Sequence, residues 1–405
     1  MSPVRRAQAA RRRWIACAVA AALGSLAACG DESDGESRPA AEAAEVAEVA
    51  EPEALSGTGA EPFTLVATGD LLIHDSVIRQ AATDAGTVGY AADDYEFGTM
   101  LAGARDVVAD ADLALCHMET VYGADGGPYS GYPLFTTPPQ IAEAVRDVGY
   151  DSCSTASNHT LDDGPDGVAR TLDAMELAGL GHAGSARTEG EAGEPTLLRA
   201  GDATVAQLAY TYGTNGIPVP DGQPWLVNLI DPERIVADAR AARRAGADVV
   251  VVSLHWGTEY QEAPDELQLS LAEELTASAS DGRRDIDLII GTHAHVPQAY
   301  EKVNGTWVVY GMGDQLAGVM NDPRGQMSSA ARFTFAPPAA EGEPWRVERA
   351  EYIPFVVDND PIAVVNLPRA VERDPARADH AATLKTISDA VLSRDAAEDG
   401  LVMGR

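Results

Sequence analysis

Lysine is nearly absent from this chain: Lys302 and Lys385 are the only two in 405 residues. Arginine brings the basic total to 29 against 63 acidic residues, a formal charge of -34. A surface of that sign repels phosphate backbones and anionic lipid headgroups, which argues against nucleic acid as a partner. Cysteine is sparse too, at four residues: Cys17, Cys29, Cys116 and Cys153. The last two sit in strand-like runs where free buried cysteine is common, while export would permit a bridge between them, so the sequence leaves both states open. The apolar run from Trp14 to Ala28 is too short to span a membrane comfortably. No internal repeat is evident.

That run follows Arg5, Arg6, Arg11, Arg12 and Arg13, the order of a secretory signal. It ends Leu26-Ala27-Ala28-Cys29, which resembles the lipobox of bacterial lipoproteins, whose cysteine is lipidated and becomes the first mature residue. Residues 1–28 therefore read as a lipoprotein signal peptide, with an ordinary signal cleaved near Ala28 or an uncleaved anchor as the alternatives. All three place the folded part outside the cytoplasm. Lipidation of Cys29 would hold it at the extracytoplasmic face of the cell membrane. Cleavage leaves 24 basic against 63 acidic residues. From Gly30 to Glu61 there are ten acids, the single Arg38 and no aromatic residue. Such a stretch cannot bury enough apolar surface to fold, so 29–61 reads as an acidic tether, or as a helical Ala/Glu segment at 40–50.

Folding is expected to begin at the strand Phe63 to Gly69. Further strands are expected at 113–116, 150–156, 196–200, 204–212, 248–254, 285–290 and 307–310, with helices around 97–111, from the Pro138-Pro139 pair onward, and at 164–179, 232–246 and 265–280 between them. The alternation predicts an α/β fold with much of its sheet buried on both faces. Residues 62–318 form this domain. Short strands at 332–336, 346–356 and 362–366 and a helix near 375–394 complete it in residues 319–405.

The polar residues fall in a pattern. Asp70, Glu119, Asn158 with His159, His255, and His293 with His295 each stand near the C-terminal end of an expected strand, the edge where open α/β sheets bind ligands. In extended backbone His293 and His295 share one side. Together these residues supply oxygen and nitrogen donors suited to Zn, Mn or Fe.

Gly69-Asp70, Glu119-Thr120, Asn158-His159-Thr160-Leu161-Asp162-Asp163-Gly164, His255-Trp256-Gly257-Thr258-Glu259-Tyr260, Gly291-Thr292-His293-Ala294-His295-Val296-Pro297 and Tyr310-Gly311-Met312-Gly313 resemble the ordered motifs of the CapA poly-γ-glutamate capsule biosynthesis family. That family is a branch of the calcineurin-like metallophosphoesterases. The resemblance, running from about Phe63 to Ala317, implies a layered sheet sandwich flanked by helices that holds one or two divalent ions. Asp70 and His295 would hold one ion, and Asn158, His255 and His293 the other. Glu119 would bridge them. His159 would act as general acid or hold transition-state charge, with Asp162 orienting it.

Several positions depart from the pattern. Leu72 stands where the wider superfamily has a histidine, with His74 nearby; His117, Ser157 and Asp314 each stand where the family has Asn. The implied partners are a cell-surface anionic polymer or its precursor and an envelope synthesis complex. An acidic protein needs metal ions or local arginines such as Arg283 and Arg284 to meet an anionic polymer. The resemblance admits a metal-dependent hydrolase or transferase, and also a non-catalytic polymer-binding or scaffold component.

Overall fold

Seven consecutive buried residues, Val249–His255, form a strand with no polar alternation, as expected of a parallel strand covered on both faces. Val249 and Val251 point inward to join Leu65, Ala67, Leu115, Ile290 and Phe333. Val250 and Val252 point the other way, against Ile235, Ala239, Leu271 and Leu275 of the helices Pro232–Arg244 and Glu266–Ala277. Each fully buried valine contributes roughly 1.5–3 kcal/mol relative to exposure.

The computed structural model describes residues 59–405 apart from 90–93 and 341. The signal segment 1–28, Cys29 and nearly all of the tether lie outside the described residues. In chain order the strands are β1 (Phe63–Leu71), β2 (Leu113–Met118), β3 (Ser152–Ser154), β4 (Gly181–Ala183), β5 (Thr196–Ala200), β6 (Ala203–Thr211), β7 (Val249–His255) and β8 (Ala279–Ser280). They continue as β9 (Arg283–Arg284), β10 (Leu288–Thr292), β11 (Tyr300–Val303), β12 (Thr306–Val309), β13 (Asp314–Leu316), β14 (Met327–Ala336), β15 (Arg346–Asn359), β16 (Ile362–Asn366) and β17 (Leu401–Met403).

Among the described residues, one sheet runs β16, β15, β14, β1, β2, β3, β4, with β13 beside β1 and β17 beside β15. The second runs β11, β12, β10, β7, β6, β5. Their inner faces share one core, and helices cover both outer faces, giving the layered α/β architecture expected. β14 pairs antiparallel with β1, so the segment after residue 318 shares the first sheet. No helix among the described residues is long and apolar enough to cross a membrane.

Helix starts follow their caps. Asp231 accepts from the Glu233 and Arg234 amides ahead of Pro232, and Asp265 and Gln268 form a capping box. The helix expected over 97–111 is instead broken: Gly98–Leu101 and Arg105–Val108 are joined by a 3-10 turn, Ala102–Ala104, where the chain packs against β16. A helix at Asp75–Val88, not anticipated, begins after His74 without a side-chain cap. Cys116 and Cys153 face each other across β2 and β3 and are joined by a disulfide.

Gly69 marks a close crossing. A Cβ there would lie 1.8 Å from the Gly313 carbonyl oxygen, which accepts the Asp70 amide at 3.0 Å. Gly69→Ala is therefore expected to destabilise the fold by roughly 3 kcal/mol or more. Gly86, inside the 75–88 helix, has open space around the same position, so Gly86→Ala should be neutral or stabilising. Urea denaturation of the two variants checks the contrast.

Candidate metal centre

The parallel strands of both sheets end at a common edge. Asp70, near the end of β1, is the register partner of His117 on β2 and of Asp314 on β13. His255 closes β7 opposite Thr292 of β10 and Thr211 of β6. Glu119 and His293 lie one residue beyond β2 and β10. Asn158 and His159 lie in the turn between β3 and the helix Gly164–Ala178. The Trp256 indole donates to the Tyr310 carbonyl at 2.8 Å, directly over Gly291, where a Cβ would meet that oxygen at 2.0 Å. This packing ties the end of β7 to the end of β10.

Two overlapping groups of side chains result. Asp70, Glu119 and His295 each offer a ligand atom within 4.8 Å of one another, and so do Glu119, His255 and His293. Glu119 belongs to both. Its Oε1 is 3.7 Å from His255 Nε2 and 3.8 Å from His295 Nε2. Asn158 Oδ1 lies 2.9 Å from His255 Nε2, which places Asn158 with the second group. His295 is turned by a 2.8 Å contact from Nδ1 to Asp314 Oδ1, and His255 by one of 3.0 Å from Nδ1 to Thr292 Oγ1. Both rings thereby aim Nε2 at Glu119.

The extended geometry expected for His293 and His295 does not hold. Their φ angles are 90° and 55°, so the chain turns left-handed at both. Backbone of this kind costs of order 1–3 kcal/mol per residue and persists where surrounding structure holds it. Here Asp70 Oδ2 accepts the His293 amide at 3.1 Å.

Burial sets the electrostatics. It pushes the Asp70 carboxyl up to about 7 and raises Glu119 and Asp314 as well. It also depresses His255, and brings His117 and His293 down to about 3. Burial acts to lower His295 too, but Asp314, Glu119 and Asp70 outweigh it and hold that imidazole above its ordinary value. Six buried atoms here lack a hydrogen-bond partner: Asp70 Oδ1, His117 Nε2, both Glu119 oxygens, His293 Nδ1 and Asp314 Oδ2. Buried polar atoms are ordinarily satisfied. Carboxylate and imidazole atoms left open toward one volume fit a divalent cation.

Beside this group, His159 Nδ1 lies 2.7 Å from Asp162 Oδ2, which also accepts the Phe135 amide at 2.8 Å. The Phe135 ring meets His159 edge-on at 4.7 Å. With its Nδ1 proton shared with Asp162, His159 presents Nε2 to the Asn215 amide at 3.4 Å. Asn215 also accepts from Asn158 Nδ2 at 3.3 Å.

Sequence reasoning passed over Asn215 and Tyr212, whose ring packs on His293 at 4.5 Å. Tyr212 directly follows β6, where the strand-end rule points, whereas Asn215 stands four positions past that strand, in a loop whose course no periodicity predicts. Glu259, in the motif that follows His255, groups with His293 and His295 at the exposed rim. Arg283 and Arg284 are elsewhere. They donate to the carbonyls of Asp248, just before β7, and Asn304, in the turn between β11 and β12, and bring no charge to this edge.

A family model described as "Bacterial capsule synthesis protein PGA_cap" matches residues 64–319. The chain is similar to the PGA biosynthesis protein CapA of Bacillus subtilis (strain 168), 27% identical over 177 residues, 43% of this chain and 44% of that protein. It is also similar to the capsule biosynthesis protein CapA of Bacillus anthracis, 26% identical over 179 residues, 43% of this chain and 42% of the other. The chain thus spans less than half the length of these two relatives. A probable polyglutamine synthesis accessory protein of Mycobacterium tuberculosis (strain ATCC 25618 / H37Rv) is 28% identical over 214 residues, 50% of this chain and 55% of that one. Among solved structures, a putative 5'-nucleotidase from Staphylococcus aureus aligns with a TM-score of 0.45 at 16% identity, over 74% of this chain and 56% of its own. The calcineurin-like phosphoesterase YfkN from Bacillus subtilis aligns with a TM-score of 0.42 at 16% identity, over 81% of this chain and 99% of its own. The matched stretch, 64–319, takes in every side chain of the centre from Asp70 to Asp314, and the chain belongs to the bacterial capsule synthesis protein PGA_cap family.

Proposed function

We propose that this protein is an exported, lipid-anchored, metal-dependent hydrolase or transferase acting on a cell-envelope polymer, poly-γ-glutamate or a related capsule polymer, or on its phosphoester precursor. The observation that carries the reading is the set of unpartnered buried atoms on Asp70, Glu119 and His293, beside a histidine held by a carboxylate. Asp70, Glu119 and His295 would hold one divalent ion of Mn, Fe or Zn, and Glu119, Asn158, His255 and His293 a second. Bound there, such ions supply Lewis-acid polarisation of a phosphoryl or carbonyl oxygen. Protonated on both nitrogens, with Nδ1–H held by Asp162, His159 would give its Nε2 proton to the leaving oxygen in place of its contact with Asn215. Lipidation at Cys29 would keep the site at the outer membrane-facing surface, near an envelope synthesis complex.

A polymer-binding scaffold without turnover is the competing role, and it draws on Leu72, which supplies no ligand, and on Asp314, which stands where the family has Asn. The short His159–Asp162 contact favours catalysis, because a scaffold makes no use of an oriented proton donor.

Metal and pH should interact in a defined direction. In the metal-free protein Asp70 and Glu119 keep their protons to higher pH when folded than when unfolded, so stability falls as pH rises through their folded values. His295, also raised, acts in the same sense. His117 and His293 are lowered, so their contribution is lost only as pH falls below the ordinary histidine range. Above pH ~6.5 the first group alone counts, and the metal-free protein should melt at lower temperature near pH 8.5 than near 6.5. Mn(II) displaces the same protons, so its affinity should rise roughly tenfold per pH unit for each proton released. Melting curves with and without Mn(II) at both pH values test this; a metal effect that is absent, or equal at both, contradicts it.

A further inference from the structure

The two sides of Glu119 are unequally supplied. His255, His293 and Asn158 converge on one, whereas Asp70 and His295 stand alone on the other. Leu72 packs with Phe135 and Ala317 and offers no ligand. His74, two residues further along the chain, meets Phe135 edge-on at 5.3 Å. It joins none of the ligand-type groups among the described residues.

His117 is placed differently. It is the register partner of Asp70 on the adjacent parallel strand, and it is 2% exposed. Its Nε2 lacks a hydrogen-bond partner and sits 3.6 Å from Asp70 Oδ1. Its ring stacks on His255 with centroids 4.7 Å apart. Asp70, His117 and His255 each offer an atom within 4.8 Å of one another. The far nitrogen explains the orientation. Nδ1 lies 2.8 Å from Ser154 Oγ, and that hydroxyl donates to the Cys116 carbonyl at 3.4 Å. Ser154 Oγ is then left to accept from Nδ1–H, so Nε2 carries a lone pair and faces the carboxylate. A histidine kept only for packing would have both nitrogens satisfied.

We propose that His117 is a metal ligand on the Asp70 side of the centre, supplying from β2 the imidazole that Leu72, just past β1, does not supply. The proposal rests on the metal-centre reading above. Ser154 acts through His117 as a positioning residue, as outer partners of ligating histidines do.

The test is titration of the purified protein with Mn(II), free ion being counted by electron paramagnetic resonance. Two equivalents are expected for the parent. His117→Asn should weaken one of them by about 100-fold, and Ser154→Ala the same one by about tenfold. His74→Asn should leave both unchanged. A His117→Asn protein with the parent's circular dichroism and both parent affinities overturns the proposal. Should that variant fail to fold, Ser154→Ala decides, since unchanged affinities there overturn it equally. A parent that binds no Mn(II) overturns the metal-centre reading and this proposal together; a parent that binds two ions alongside an unaffected variant overturns the role of His117 alone.

Discussion

Glutamine in place of Glu119 is expected to strip the centre of both ions and to lower turnover of an aryl phosphodiester by at least about 100-fold. Glu119 is singled out because it belongs to both ligand groups and has no hydrogen-bond partner on either oxygen. The amide keeps the volume and removes the charge, so the fold should survive. It should even gain, because a buried carboxylate raised by desolvation favours its neutral form in the metal-free state. The expected signature is therefore a pair of opposite changes: metal content and rate fall, while the melting temperature of the metal-free protein holds or rises. Metal analysis, rate measurement and calorimetry on one preparation read all three. A variant with parental metal content would show that Glu119 is not shared between ions.

His159→Ala is expected to separate chemistry from metal binding. Its ring contacts are to Asp162, Asn215 and Phe135, and it appears in none of the ligand groups. Loss of a positioned general acid lowers rates by about 100- to 10,000-fold, while metal stoichiometry should stay parental. The effect should also depend on the leaving group. A substrate whose leaving oxygen needs no proton, such as an activated aryl phosphodiester, should suffer least, and an alkyl ester most. Equal losses on both would assign His159 to holding transition-state charge instead. Metal-dependent turnover abolished by this substitution also counts against a purely scaffolding role.

The strands that build the centre were legible because their composition is extreme. The run ending at His255 and the one ending at Gly291 admit few alternatives to a doubly covered strand, and polar residues at such ends point to a ligand edge. Local periodicity says nothing about where a loop folds back, and Tyr212 and Asn215 lie in a Gly/Pro/Asn loop after β6. The partition of His293 and His295 between two ions comes from family resemblance, and the extended backbone expected of them does not hold. The backbone leaves the extended region at both residues, and the left-handed turn directs one imidazole to each side of Glu119.

His117 was registered only as a departure from a motif. Its position opposite Asp70 is a matter of strand register, which depends on pairing between residues 47 positions apart and not on local spacing. The Cys116–Cys153 bridge stayed open in the sequence for the same reason, and the register of β2 and β3 decides it. The helix at Asp75–Val88 was missed because its buried face is only Val77, Ile78, Ala81 and Ala85, too small an apolar stripe to stand out.

Elemental analysis of the purified protein at known concentration, after reconstitution with Mn, Fe and Zn salts and dialysis, tests the central claim most directly. The account predicts two equivalents of divalent transition metal per chain in the parent and none retained in Glu119→Gln. A folded parent that retains no stoichiometric metal, or a Glu119→Gln protein that retains as much as the parent, would contradict it.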